Sequence, residues 1–208
     1  VRFQDAARDA RAVVYAGIQA DPVVARADGE TGDPGPWRAM FPTLFGDTAA
    51  AATRDRAEAI LEVASSIAGR GEQVRSQFRG AVVEELAQHL LARRVGDSVV
   101  RRERRILFDG VRAEIHPYDV TVERDTAPEA WDCKWGARGI APDVLHQLDD
   151  ARRHAADEGA RLRTGLVVFD ARRSCAIRLA RQTAPTGELR LVTIETLDRL
   201  AGAPAPAS

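Results

Sequence analysis

The residues best suited to chemistry gather around a single lysine. Of 30 basic residues, 29 are arginine and one is Lys134, in the run Glu129-Ala-Trp-Asp-Cys-Lys-Trp-Gly136. In a chain whose composition pushes lysine toward arginine, a retained lysine marks a place for a compact, tunable ammonium rather than a planar, permanently charged fork. Asp132 stands two residues earlier, giving Asp-x-Lys. Asp119 lies one element upstream, and Glu84 lies further upstream still. Three carboxylates and a lysine suit the hydrolysis of a phosphodiester. Carboxylate oxygens are natural ligands for Mg2+, with Mn2+ able to substitute. Such a cation activates water and screens phosphate charge, and a nearby lysine orients that water, deprotonates it or stabilises the developing charge.

These groups must be brought together by the elements that carry them. Tyr118 to Arg124 and Glu129 to Trp135 alternate as strands, with Asp125-Thr-Ala-Pro128 as a turn. A hairpin with a four-residue loop pairs Arg124 with Glu129, Thr121 with Asp132 and Asp119 with Lys134. Directly paired residues share a face. One face is then Val120, Val122, Trp131, Cys133 and Trp135, which belongs on a core. The other is Asp119, Thr121, Glu123, Ala130, Asp132 and Lys134. The plain alternative is a half-exposed hairpin with a solvated ion pair of little energetic weight. Against it, aspartate is a poor strand former, and two on adjacent strands need a reason.

A helix from about Glu72 to Arg94 precedes the strands, with Val83, Leu86, Ala87, Leu90 and Leu91 on its apolar stripe. Glu85 points away from that stripe, while Glu84 sits at its flank, in reach of a site. Arg105 to Phe108 and Val111 to Ile115 read as strands, Pro142 to Glu158 as a helix, and Thr164 to Phe169 as a buried strand. Ala176 to Leu179 and Leu189 to Ile194 are weaker strand candidates, and Glu195 to Leu200 a helical turn. Upstream, Phe3 to Ile18 and Thr48 to Ala68 read as helices, separated by a Gly/Pro-rich loop at Asp28 to Trp37. The fold class is α/β, a mixed sheet flanked by helices with an N-terminal helical extension. The domains are expected at 1–70, 71–200 and a disordered tail at 201–208.

A net charge of -1 rules out a global basic field, so any nucleic-acid contact must rest on local arginines. Arg138, in the loop after Lys134, is the best candidate, followed by Arg79 and Arg75; the run Arg101-Arg-Glu-Arg-Arg105 is another. Trp131 and Trp135 could stack on bases, but their parity assigns them to the core. Glu123 lies far along the polar face, and His116 reads as structural. Two cysteines and four histidines show neither a disulfide framework nor zinc spacing. The absence of a signal peptide or long apolar run makes a cytoplasmic protein the expectation.

The ordered set Gly80-Ala-Val-Val-Glu84, Pro117-Tyr-Asp119-Val-Thr-Val and Trp131-Asp132-Cys-Lys134 resembles the PD-(D/E)xK nuclease superfamily, with its restriction-endonuclease-like fold, over roughly residues 75 to 195. Two departures stand out: the proline is two places before Asp119, and aspartate replaces the commoner glutamate at 132. The resemblance implies that Asp119, Asp132 and the Cys133 backbone carbonyl hold Mg2+, with Glu84 reaching it directly or through water. Lys134 would act on the nucleophilic water. Gln147, matching a glutamine motif of some branches, would position the lysine or the scissile strand. DNA is the expected substrate of an endonuclease, with a structure-selective or RNA-directed nuclease on the same scaffold the alternative, in genome defence or DNA processing. A homodimer or partner protein engaged through the helical extension is expected. The readings from other classes are a catalytically silent nucleic-acid-binding or scaffolding subunit and a purely structural interaction protein.

Overall fold

A computed structural model describes residues 2–5, 70–108, 111–112, 116–182 and 189–202, with isolated helical positions between 51 and 67. The expected loop at 28–37, most of the upstream helices and the tail from 203 lie outside these residues. The chain divides into two compact units, one of Val1–Asp9 with Gly80–Ser208 and one of Ala10–Arg79. The boundary expected at residue 70 therefore falls differently. The first residues belong to the unit that carries the sheet, and the Phe3 helix expected from an apolar stripe begins instead as a strand.

Among the described residues, seven strands form one mixed sheet. They are β1 (Arg2–Asp5), β2 (Val100–Phe108), β3 (Val111–Arg112), β4 (Tyr118–Val122), β5 (Glu129–Lys134), β6 (Arg163–Val168) and β7 (Arg190–Thr193), in the order β1-β2-β4-β5-β6-β7 with β3 beside β2. The strands from β1 to β5 pair antiparallel. The β5–β6 and β6–β7 pairs are parallel, each bridged by a helix, α2 (Pro142–Asp157) and α3 (Arg172–Leu179). Parallel neighbours need such crossovers, whereas the antiparallel β4 and β5 follow one another in the chain with a short connection.

Helix α1 (Glu72–Val95) buries Val83, Ala87 and Leu91, one turn apart, against Val120, Val122, Trp131, Cys133 and Val167. On the opposite face, α2 sets Leu145, Leu148, Ala151 and Ala155 against Ala130, Leu166 and Val168. Both faces of the central strands are thus covered. Every residue of β4 is buried, as are the first five of β5. The half-exposed hairpin is excluded by this burial.

Close packing of the two parallel strands depends on Gly165. A Cβ there would stand 2.2 Å from the Trp131 ring, its partner in the ladder. The Trp131 indole donates to Glu129 Oε2 at 3.0 Å, and Arg94, in the last turn of α1, reaches the same oxygen at 2.6 Å. Glu129 is fully buried, so this cluster ties the end of α1 to the start of β5.

Ala176–Leu179, expected as a strand, belongs to α3. Only Cys175 of that helix is buried, so its sequence carries no apolar period to betray it. Strand β2 begins at Val100, five residues before the expected start, because the arginine run conceals its alternation. Arg102 and Arg104 instead satisfy carboxylates, at Glu84, Glu85 and Glu123.

Candidate active site

The β4–β5 ladder pairs Val120 with Trp131, Thr121 with Ala130 and Val122 with Glu129. The connection therefore runs over 123–128, and the expected register slips by two residues. An even slip preserves the faces. It changes the partners, since one further step sets Asp119 opposite Asp132, with Lys134 beyond them rather than beside Asp119. The ladder stops at Val120, and there a side chain takes over its bonding. Cys133 N–H donates to Asp119 Oδ2 at 2.6 Å. Asp119 thus sits at the point where the two strands part.

Lys134 closes this group. Its ammonium lies 3.1 Å from Asp132 Oδ1 and 3.8 Å from Asp119 Oδ2. Both aspartates are buried. One ammonium cannot neutralise two buried carboxylates, and this sets the protonation balance. Burial and the Asp119 charge push Asp132 up to about 7, against the opposing pull of Lys134. For Lys134, burial works against the charged form, but Asp132 and Asp119 outweigh it and hold the ammonium well above its usual range. The charge count favours a firmly protonated Lys134, with the surplus negative charge falling on Asp132.

The lysine stem is fixed from behind by the turn Ala137–Gly139. A Cβ on Gly139 would stand 2.8 Å from Lys134 Cβ and 3.1 Å from its Cγ and Cδ. The turn is held in turn by Asp170, which accepts from Ala137 N–H at 2.8 Å and from Ala171 N–H at 2.7 Å. Those two bonds lower the Asp170 pKa.

Glu84 comes from α1 to the same place. Oxygens of Glu84, Glu103 and Asp119 lie within 4.8 Å of one another. Arg102 also meets Glu84, at 3.2 Å, and Glu85, at 2.9 Å. Glu103 escaped the sequence reading, hidden in the run Arg101-Arg-Glu-Arg-Arg105. Its signal was a lone acid among arginines. Its backbone has φ 50°, in the left-handed region that costs a non-glycine residue on the order of 1 kcal/mol or more, a kind of strain that concentrates at functional sites. Asp132 stands outside the Glu84–Glu103–Asp119 group, its Oδ1 on Lys134 instead. Three hard oxygen donors converging this closely fit a divalent cation such as Mg2+.

The other expected residues fall elsewhere. Gln147 is buried, but both ends of its amide are taken by the backbone of His116. Its Oε1 accepts from His116 N–H at 3.2 Å, and its Nε2 donates to His116 O at 3.1 Å. It straps α2 to the approach of β4 and does not position the lysine. Cys133 acts through its N–H; its thiol is buried, and burial with the surrounding carboxylates pushes it far above the usual range. Arg75 and Arg79 lie in the Ala10–Arg79 unit and are both ion-paired to Glu72. Arg138 is exposed. Glu123 is engaged by Arg104 at 2.6 Å. Trp135, assigned to the core by parity, is instead 44% exposed. The strand ends at Lys134, so parity no longer governs it.

The chain matches no family model, no curated protein and no solved structure. Among the described residues, no helix is long and apolar enough to cross a membrane.

Proposed function

We propose that this protein is a Mg2+-dependent nuclease of restriction-endonuclease-like architecture, hydrolysing phosphodiester bonds of DNA in the first instance. The observation that carries this reading is the buried meeting of Asp119, Asp132 and Lys134 at the parting of β4 and β5, with Glu84 and Glu103 converging on Asp119. Buried charges at this density are costly unless a function or a cation repays them. Glu84, Glu103 and Asp119 would hold the cation, which supplies Lewis-acid polarisation of the phosphate and screens its charge. Asp132 fixes the Lys134 ammonium in place. Lys134, held protonated, offers its positive charge to the phosphoryl oxygen as negative charge develops there. Asp119 joins the two halves by accepting from Cys133 N–H while lying near the lysine and the Glu84 and Glu103 carboxylates.

The Arg102–Glu84 pair favours a second reading. An arginine that already compensates Glu84 is what a silent nucleic-acid-binding subunit would carry, its acidic cluster needing no cation. One experiment separates the two. Plasmid, single-stranded DNA and RNA are incubated with Mg2+ or Mn2+ and with EDTA, using wild type, Lys134→Ala and Lys134→Arg. The nuclease reading expects metal-dependent cutting that both substitutions abolish with the fold intact, since a bulky planar guanidinium cannot replace the compact ammonium beside Asp132 and Asp119. Cutting that survives both substitutions would sink the site assignment. No cutting, with no heat of Mn2+ binding, selects the silent subunit.

A further inference from the structure

Three strands run parallel, β5, β6 and β7, and the first residue beyond each is large and apolar: Trp135, Phe169 and Ile194. The ladders pair Lys134 with Val168 and Val168 with Thr193, so these three residues are the next rung along one line. Trp135 and Ile194 are 44% and 46% exposed. The Trp135 ring leans on Phe169, with centroids 5.0 Å apart and planes tilted by 42°. Phe169 itself is half-buried against the α1-side core, which gives the exposed indole a firm backing.

The row is rigidly tied to the catalytic turn. Phe169 N–H donates to Lys134 O at 2.9 Å, Asp170 Oδ2 accepts from Ala137 N–H at 2.8 Å, and Asp170 O accepts from Ile194 N–H at 3.2 Å. Exposed Arg138 stands in the same turn and makes no ion pair among the described residues. The carboxyl ends of parallel strands are the usual ligand side of an open α/β sheet. A flat exposed aromatic one residue from a partly buried lysine, with an exposed guanidinium three residues on, is the chemistry that receives a base and its phosphate. A base still paired within a duplex has its faces covered by its neighbours, so only an unpaired one can lie on the ring.

We propose that the Trp135–Phe169 pair is a stacking platform for an unpaired nucleobase, which directs the site toward single-stranded or locally unpaired nucleic acid. The choice of ligand rests on the nuclease reading, and the test keeps the two apart. Binding of labelled oligo-dT and oligo-rU, and of a duplex of equal length, is followed by fluorescence anisotropy in EDTA, so that nothing is cut. Wild type should prefer the single strands. Trp135→Leu, which keeps apolar cover over Phe169, should weaken single-strand binding roughly tenfold and leave duplex binding and thermal stability unchanged. Trp135→Phe should recover most of the loss. Quenching of tryptophan fluorescence by the oligonucleotide should disappear in Trp135→Leu.

Unaltered single-strand affinity in Trp135→Leu overturns the platform, as does an equal loss on single strand and duplex, or a wild type that binds neither. A variant altered only in self-association, by sedimentation, would make the row a protein contact and overturn it too. If Mg2+-dependent cutting persists while Trp135→Leu binds normally, the platform alone fails. If single-strand binding depends on Trp135 but no substrate is cut, the nuclease reading alone fails.

Discussion

Asp132 carries the surplus charge of the site, and this makes it a burden on the metal-free fold. Its pKa in the fold is about 7, against 3.8 when unperturbed. The folded protein therefore holds this proton more tightly than the unfolded chain does. As pH rises from about 4 to about 7, the unfolded chain releases it first, and the fold loses stability on the order of 4 kcal/mol at most. In EDTA, Asp132→Asn should remove this slope, so that the variant gains on wild type between pH 5 and pH 8 in urea unfolding; parallel curves would refute the assignment. Gly139→Ala acts at the same scale through geometry. Its new methyl displaces the lysine stem, and a displacement of about 1 Å should cost the proposed cleavage about 100-fold in a plasmid-cutting assay. The chemistry-bearing residues were legible because their types are rare in this chain: one lysine, and aspartates inside strands. Glu103 was not, because the arginine run from Arg101 to Arg105 hides one more acid, and only the φ of its backbone marks it out.

At the scale of elements, the parity of β4 and β5 was readable and their register was not. Alternation fixes which face a residue takes, while the loop length that fixes its partner depends on where Val122 ends its strand, a matter of two residues with no apolar signature. Gln147 shows the same limit, since its place on α2 was plain but its bonds to His116 depend on a tertiary approach. The β5–β6 contact offers a direct test of packing. Gly165→Ala places a methyl inside the Trp131 ring, and the ring is pinned by Glu129 and cannot swing away. Urea unfolding should show a loss of about 1–3 kcal/mol, the usual cost of overpacking, with a changed tryptophan near-UV signal. A variant as stable as wild type would mean that the ring has room to shift.

For the whole molecule, the α/β class and the layering of helices on a mixed sheet followed from the switch of apolar period along the chain. The membership of residues 2–5 did not, because four residues with an apolar member every few positions fit a helix as well as an edge strand. Strand β1 covers the outer edge of β2, from Arg2 opposite Leu107 to Asp5 opposite Arg104. Deleting residues 1–5 should bare that edge, cost a few kcal/mol in ladder bonds, and produce concentration-dependent association in sedimentation. A monomeric, equally stable truncation would show that the edge needs no cover. The pairing of Arg2 with Leu107 also has a temporal side: β1 leaves the ribosome about a hundred residues before its partner exists. At ordinary synthesis rates it waits on the order of ten seconds. Until β2 is made, the backbone donors and acceptors of β1 have no partner in the sheet.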